Sequence, residues 1–102
     1  MKIIKELTEM IEDELDGAEE YVTMAISLRE EHPVLAKTMY DISTDEMRHV
    51  DLLHSEVVKL IEEHRKTKGE PPASMMAVYD YLHKKHIAKA NEIKVYQSQF
   101  RA

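Results

Sequence analysis

The chain has 102 residues, 43% hydrophobic and 33% charged, enough for one domain and too little for two. Two glycines and three prolines leave too little turn chemistry for a multi-stranded fold, and the absence of cysteine excludes disulfides, thiolate metal sites and thiol nucleophiles together. A formal net charge of −6 argues against a nucleic-acid partner, which would need a basic patch. No stretch approaches the ~20 apolar residues of a membrane-spanning helix, and residues 1–10 lack the pattern of a signal peptide, so a soluble, cytoplasmic protein is expected.

From Lys2 to about Glu31, the residues Ile3, Leu7, Met10, Ala18, Tyr21, Ala25 and Leu28 recur at three- and four-residue steps, the spacing that lines one face of an α-helix. Pro33 suits a first helical turn because its missing N–H is unneeded there. It opens a second run through Leu35, Met39, Ile42, Val50, Leu53, Val57 and Leu60 to about Lys66. Gly69 is placed to end that helix, and Pro71 and Pro72 bar its continuation. A third run then passes through Met75, Tyr79, Leu82, His86, Ala90, Ile93, Gln97 and Phe100. The expectation is an all-α single domain over 1–102, with helices at about 2–31, 33–66 and 72–101. The short connections make it an antiparallel long-helix hairpin plus a third helix. Rods of ~40 to 50 Å, at 1.5 Å per residue, struggle to cover an apolar stripe on each helix. A homodimer or higher homo-oligomer is the expected remedy, and a monomeric three-helix bundle is the alternative.

Polar residues interrupt these stripes. Glu14 stands at the centre of the first, eleven residues after Ile3 and seven before Tyr21. The second reads Leu35, Met39, Ile42, Glu46, His49, Leu53, Val57, Leu60, so Glu46 and His49, three residues apart, also face inward. Folding at His32-Pro33 brings Glu14, about eighteen residues before the bend, level with Glu46 and His49, about fourteen and seventeen after it. Two glutamates in a core need protons, cationic partners or a metal ion, because an uncompensated buried carboxylate is costly. Lysines and arginines lie mainly off the stripes, which leaves a divalent or trivalent ion as the economical partner. Oxygen and imidazole donors without sulfur fit iron or manganese, and zinc also.

Blander readings compete. Glu46 and His49 are alternatively a solvated pair, and Ser43-Thr44-Asp45-Glu46 is alternatively a capping box that starts a new helix. The buried face of helix one alternatively runs through Ile11, Leu15 and Val22, although that face is poorer in large apolar residues. Gly17 costs a helix interior about 1 kcal/mol relative to alanine, a cost that room for a close neighbour would explain. Tyr21 is either ordinary core or a hydroxyl donor to a nearby carboxylate.

These residues resemble the ferritin-like di-iron carboxylate superfamily, in particular its rubrerythrin branch. Glu14, Gly17, Tyr21 and Ala25 are similar to that family's ligand Glu, small residue three later, Tyr seven later and Ala eleven later. Glu46-Met47-Arg48-His49 is similar to its Glu-x-x-His motif, and the 32-residue separation from Glu14 to Glu46 suits adjacent antiparallel helices. The resemblance covers residues 7 to 54, about half the chain. Family sites use a Glu from each of two helices and a Glu-x-x-His from each of two others, and this chain supplies one such half. Helix three has no Glu-x-x-His; Asp80-Tyr81-Leu82-His83 is the nearest substitute, while His86 and Glu92 are weak candidates for further ligands.

The resemblance therefore implies a ferritin-like four-helix bundle completed by dimerisation, as in the half-length ferritins packaged in encapsulin shells. Glu14, Glu46 and His49 would be the metal ligands, with two iron ions at each dimer interface. It implies oxidation of Fe(II) by oxygen or peroxide. The lack of a cysteine-based electron-transfer domain favours ferroxidase-like activity over a full peroxidase cycle. The competing function is that of a non-catalytic helical interaction or structural protein in which the same three residues form a buried Glu–His network that sets the dimer register.

Overall fold

In the computed structural model, which describes residues 1–102, the chain forms three α-helices and no strand: α1 (Lys2–Leu28), α2 (Pro33–Lys68) and α3 (Ala73–Arg101). None is long and apolar enough to cross a membrane. The breaks fall where the sequence places them. His32 is held away from helical geometry, at φ −134° and ψ 66°, by the following Pro33, so α1 stops at Leu28, slightly short of the expected Glu31. Gly69 ends α2 at φ 82°, a left-handed conformation that glycine adopts without steric cost. Arg65, Lys66 and Lys68 sit in the last turn of α2, where positive charge meets the free carbonyls. The helix is continuous through Ser43 to Glu46, so that segment does not act as a capping box.

The buried faces of α1 and α2 differ from the expected stripes. On α1 the buried residues are Ile4, Thr8, Ile11, Leu15, Ala18, Val22 and Ala25, whereas Ile3 is 45% and Met10 53% exposed. On α2 they are Ala36, Ser43, Met47, Val50, Val57 and Ile61, with Leu35 45% exposed. Each face is turned by about 80° about its helix axis, a little less than the ~100° between successive residues. The cause is α3, which packs mainly on α1 along one flank of the hairpin and touches α2 at few points. The line of each helix that faces both its hairpin partner and this flank is sealed. The expected stripe faces the opposite flank, which nothing covers. On α3 the expected face holds: His86, Ile93 and Gln97 are buried and Met75, Tyr79, Leu82, Ala90 and Phe100 half-buried.

A buried polar link ties the three helices in register. Ser43 Oγ donates to the carbonyl of Ala18 at 2.8 Å and accepts from Gln97 Nε2 at 3.1 Å. Beyond it, Tyr40 stacks on Phe100 with centroids 4.8 Å apart. Arg29 Nη1 donates to the carbonyls of Gln99 and Phe100 at 3.1 and 3.2 Å, tying the end of α1 to the last turn of α3. Lys85 with Glu12 at 3.5 Å and Lys89 with Glu19 at 3.0 Å pair α3 with α1 on the outside.

The result is a rod of 56 × 19 × 18 Å with a radius of gyration of 16.4 Å, against about 13 Å for a compact chain of 100 residues. Its accessible surface of 6750 Å² exceeds by about 800 Å² the ~5,950 Å² expected for a folded monomer of this mass. Its exposed apolar residues include Ile3 and Met10 of α1 and Leu35 and Leu52 of α2, and also Val78, Tyr81, Ile87 and Val95 of α3.

Candidate metal centre

Glu14 rises from the middle of α1 and Glu46 and His49 from successive turns of α2, on the flank away from α3. Antiparallel packing about the His32-Pro33 bend brings them to one level, and one potential ligand atom from each lies within 4.8 Å of the other two. The group is half-buried rather than deep in the core: the side chain of Glu14 is 29% and that of His49 43% exposed. It borders an open groove of about 450 Å³ lined by Met10, Asp13, Glu14, His49, Leu52 and Leu53.

Within this group the electrostatics are unbalanced. Glu14 Oε2 is sealed from solvent and has no hydrogen-bond partner. His49 Nδ1 lies 3.5 Å from it, beyond the usual range of an N–H···O bond, so the pair attracts only if the imidazole is protonated. A carboxylate oxygen removed from water without a donor is unfavourable, and a cation is what its lone pairs lack. Donors held at 2.0–2.2 Å from one ion lie at most about 4.4 Å apart. Small side-chain movements would therefore close this group around a metal. Two carboxylates and one imidazole are the donor set of iron or manganese, with zinc also compatible. Three donors leave coordination positions open.

Gly17 explains how Glu46 reaches the group. A Cβ at Gly17 would meet the Cδ and Oε2 atoms of Glu46, each at 3.7 Å, so the Glu46 carboxylate lies directly over the bare backbone of α1. Tyr21 is half-buried but makes no hydrogen bond to either glutamate. It lines a separate shallow recess with Glu20, Thr23, Met24 and Ser27. The helix-three candidates do not join the site. His86 lies between α3 and the other flank of the hairpin, and Glu92 is exposed, accepting a hydrogen bond from Tyr96 at 3.4 Å. His83 stacks on His54 instead.

Sequence reasoning passed over Asp13, which sits at the groove beside Glu14 and adds negative potential at its mouth. Its adjacency to Glu14 was the available signal. No family model matches the chain, and no curated protein or solved structure matches it significantly.

Proposed function

We propose that the protein is a metal-binding, ferritin-like protein in which Glu14, Glu46 and His49 hold iron, and that two copies complete a di-iron site at a homodimer interface. The observation that carries this reading is the convergence of three ligating side chains around an unpartnered Glu14 oxygen, beside a groove that α3 does not line. A second hairpin laid on that flank would make a four-helix bundle, bring a second set of the same donors to the site and fill the open coordination positions. The surface excess of about 800 Å² is comparable to one partner's share of a standard interface. The chain's resemblance to rubrerythrin-like sequences through Glu14, Gly17, Tyr21, Glu46 and His49 points the same way.

Iron at this position supplies the redox chemistry for oxidation of Fe(II) by oxygen or peroxide. This chain's residues contribute the rest. Glu14 and Glu46 would provide negative charge to a bound cation, and His49 would add one imidazole donor. Met39, Ile42 and Leu53, half-buried beside them, would limit water once the flank is covered. Asp13 and its acidic neighbours draw cations toward the groove. The competing network reading needs Glu14 and His49 to be joined by a hydrogen bond, and that bond is missing.

Aerobic addition of Fe(II) tests the proposal. Oxidation faster than in buffer, stoichiometric with sites and lost in Glu46→Ala, is the expected result. Mass measurement by light scattering should give a dimer for the wild type and a helical monomer for Leu53→Glu. A metal-loaded monomer, or iron oxidation indifferent to Glu46, would overturn it.

A further inference from the structure

On the flank opposite the Glu14 group, a cavity of about 310 Å³ lies between α1, α2 and α3, and three imidazoles line it. The rings of His54 from α2 and His83 from α3 are stacked, with centroids 4.6 Å apart and planes 6° from parallel. One turn beyond His83, His86 is 8% exposed, and its Nε2 is sealed from solvent with no hydrogen-bond partner. Asp51 lies one turn before His54 on α2 and also lines the cavity.

We propose that this cavity is a second cation site, of imidazole type, in which His54, His83 and His86 bind one transition-metal ion of the zinc, cobalt, nickel or copper class, with Asp51 beside them. The inference is independent of the function proposed for the Glu14 group.

Donor chemistry carries the argument. Asp51 and His54 are spaced by three residues, and so are His83 and His86, so α2 and α3 each offer one turn of ligands across a shared cavity. Three imidazoles and one carboxylate suit zinc, copper or nickel, whereas the two carboxylates and one imidazole of the other group suit iron or manganese. The unpartnered His86 nitrogen is the kind of buried polar atom that a bound ligand explains. As they stand, the three rings do not converge closely enough to share an ion. An ion lies in the plane of each ring that binds it, so parallel rings cannot share one, and His83 must turn out of its stack. That turn also breaks its stack on Tyr79, whose ring lies 5.7 Å away and 9° from parallel. Burial, and then the neighbouring His83, lower the pKa of His54, against an opposing effect of Asp51. Burial is also the largest cause of the lowered pKa of His86, with Lys85 and His83 acting in the same sense and Glu12 and Asp16 opposing. Both shifts favour the neutral ring, the form that binds metal. Lys94 is the one lysine on the cavity wall, which also carries Asp51. A bound ion would tie α2 to α3, which otherwise touch at few points.

The test is titration of the full chain with Co(II), followed by equilibrium dialysis, elemental analysis and the visible absorption of the bound ion. Wild type should bind one more Co(II) per chain than His83→Asn. A Glu46→Ala/His49→Ala variant should retain one Co(II) with the spectrum of a nitrogen-rich site. Adding His83→Asn to that variant should weaken binding by more than the ~100-fold upper range for loss of an outer-shell partner. Equal Co(II) uptake by wild type and His83→Asn, with helicity unchanged by circular dichroism, would overturn the proposal whatever the Glu14 group does. So would a folded Glu46→Ala/His49→Ala chain that binds none.

Discussion

Replacing Glu14 by glutamine keeps the shape of the side chain and removes the charge that the candidate centre needs. In metal-free buffer the change should alter stability little, because the lost carboxylate oxygen has no hydrogen-bond partner to leave stranded. In the presence of metal the two proteins should separate. An ion at 100 times its dissociation constant stabilises a folded protein by about 2.7 kcal/mol. Unfolding entropy for 102 residues, at about 2.1 cal/mol/K per residue, converts 1 kcal/mol into about 4.7 °C. The wild type should therefore gain about 13 °C in Tm. If the loss of one ligand weakens binding by ~100-fold, the same concentration equals the new dissociation constant. The variant then gains only about 0.4 kcal/mol, or about 2 °C. The assay is thermal unfolding followed by circular dichroism, with and without Mn(II), which avoids oxidation and favours oxygen donors. An equal Mn(II)-induced rise in both proteins would show that Glu14 is not a ligand.

Other expectations test the scaffold around the centre. Ser43→Ala removes the acceptor of the buried Gln97 amide and should destabilise by about 1–3 kcal/mol, seen as a lower urea midpoint; Ser43→Ala combined with Gln97→Leu should recover part of the loss. Gly17→Ala should raise the Tm of the metal-free protein by up to about 5 °C, since alanine is favoured by about 1 kcal/mol and its methyl meets Glu46 only at van der Waals distance. The lowered pKa values of His54 and His86 mean that the unfolded chain binds protons more readily than the folded one. Their contribution should be complete above the unfolded value of about 6.5 and be lost as pH falls through the depressed folded values. Tm measured from pH 8 down to 5 should therefore fall, and His54→Ala should flatten the slope.

The three helices were legible because their signals are local. Pro33, Gly69 and the Pro71-Pro72 pair act on the backbone of a few residues, and periodic apolar positions in each helix need no knowledge of neighbours. The level meeting of Glu14, Glu46 and His49 was legible too, since a tight bend between straight helices fixes height by residue count. On α1 the sequence left two faces open, and the one through Ile11, Leu15 and Val22 is the buried one; on α2 the expected face is misplaced. Ile3, Met10 and Leu35 look as apolar as Ile4, Ile11 and Ile61, and only the docking of α3 on one flank decides which set is sealed. On α3 the apolar stripe marks the buried face, because that helix buries a single face.

Chain composition and spacing thus determined an all-helical hairpin with a third helix, and the height at which two carboxylates and an imidazole come together. Tertiary packing alone decided that these groups lie half-buried on an uncovered flank, that Ser43 and Gln97 lock the register, and that His54, His83 and His86 share a cavity. The physical reason is that height along a rod is a property of one chain segment, whereas rotation about its axis is set by whichever neighbours bury the most apolar surface.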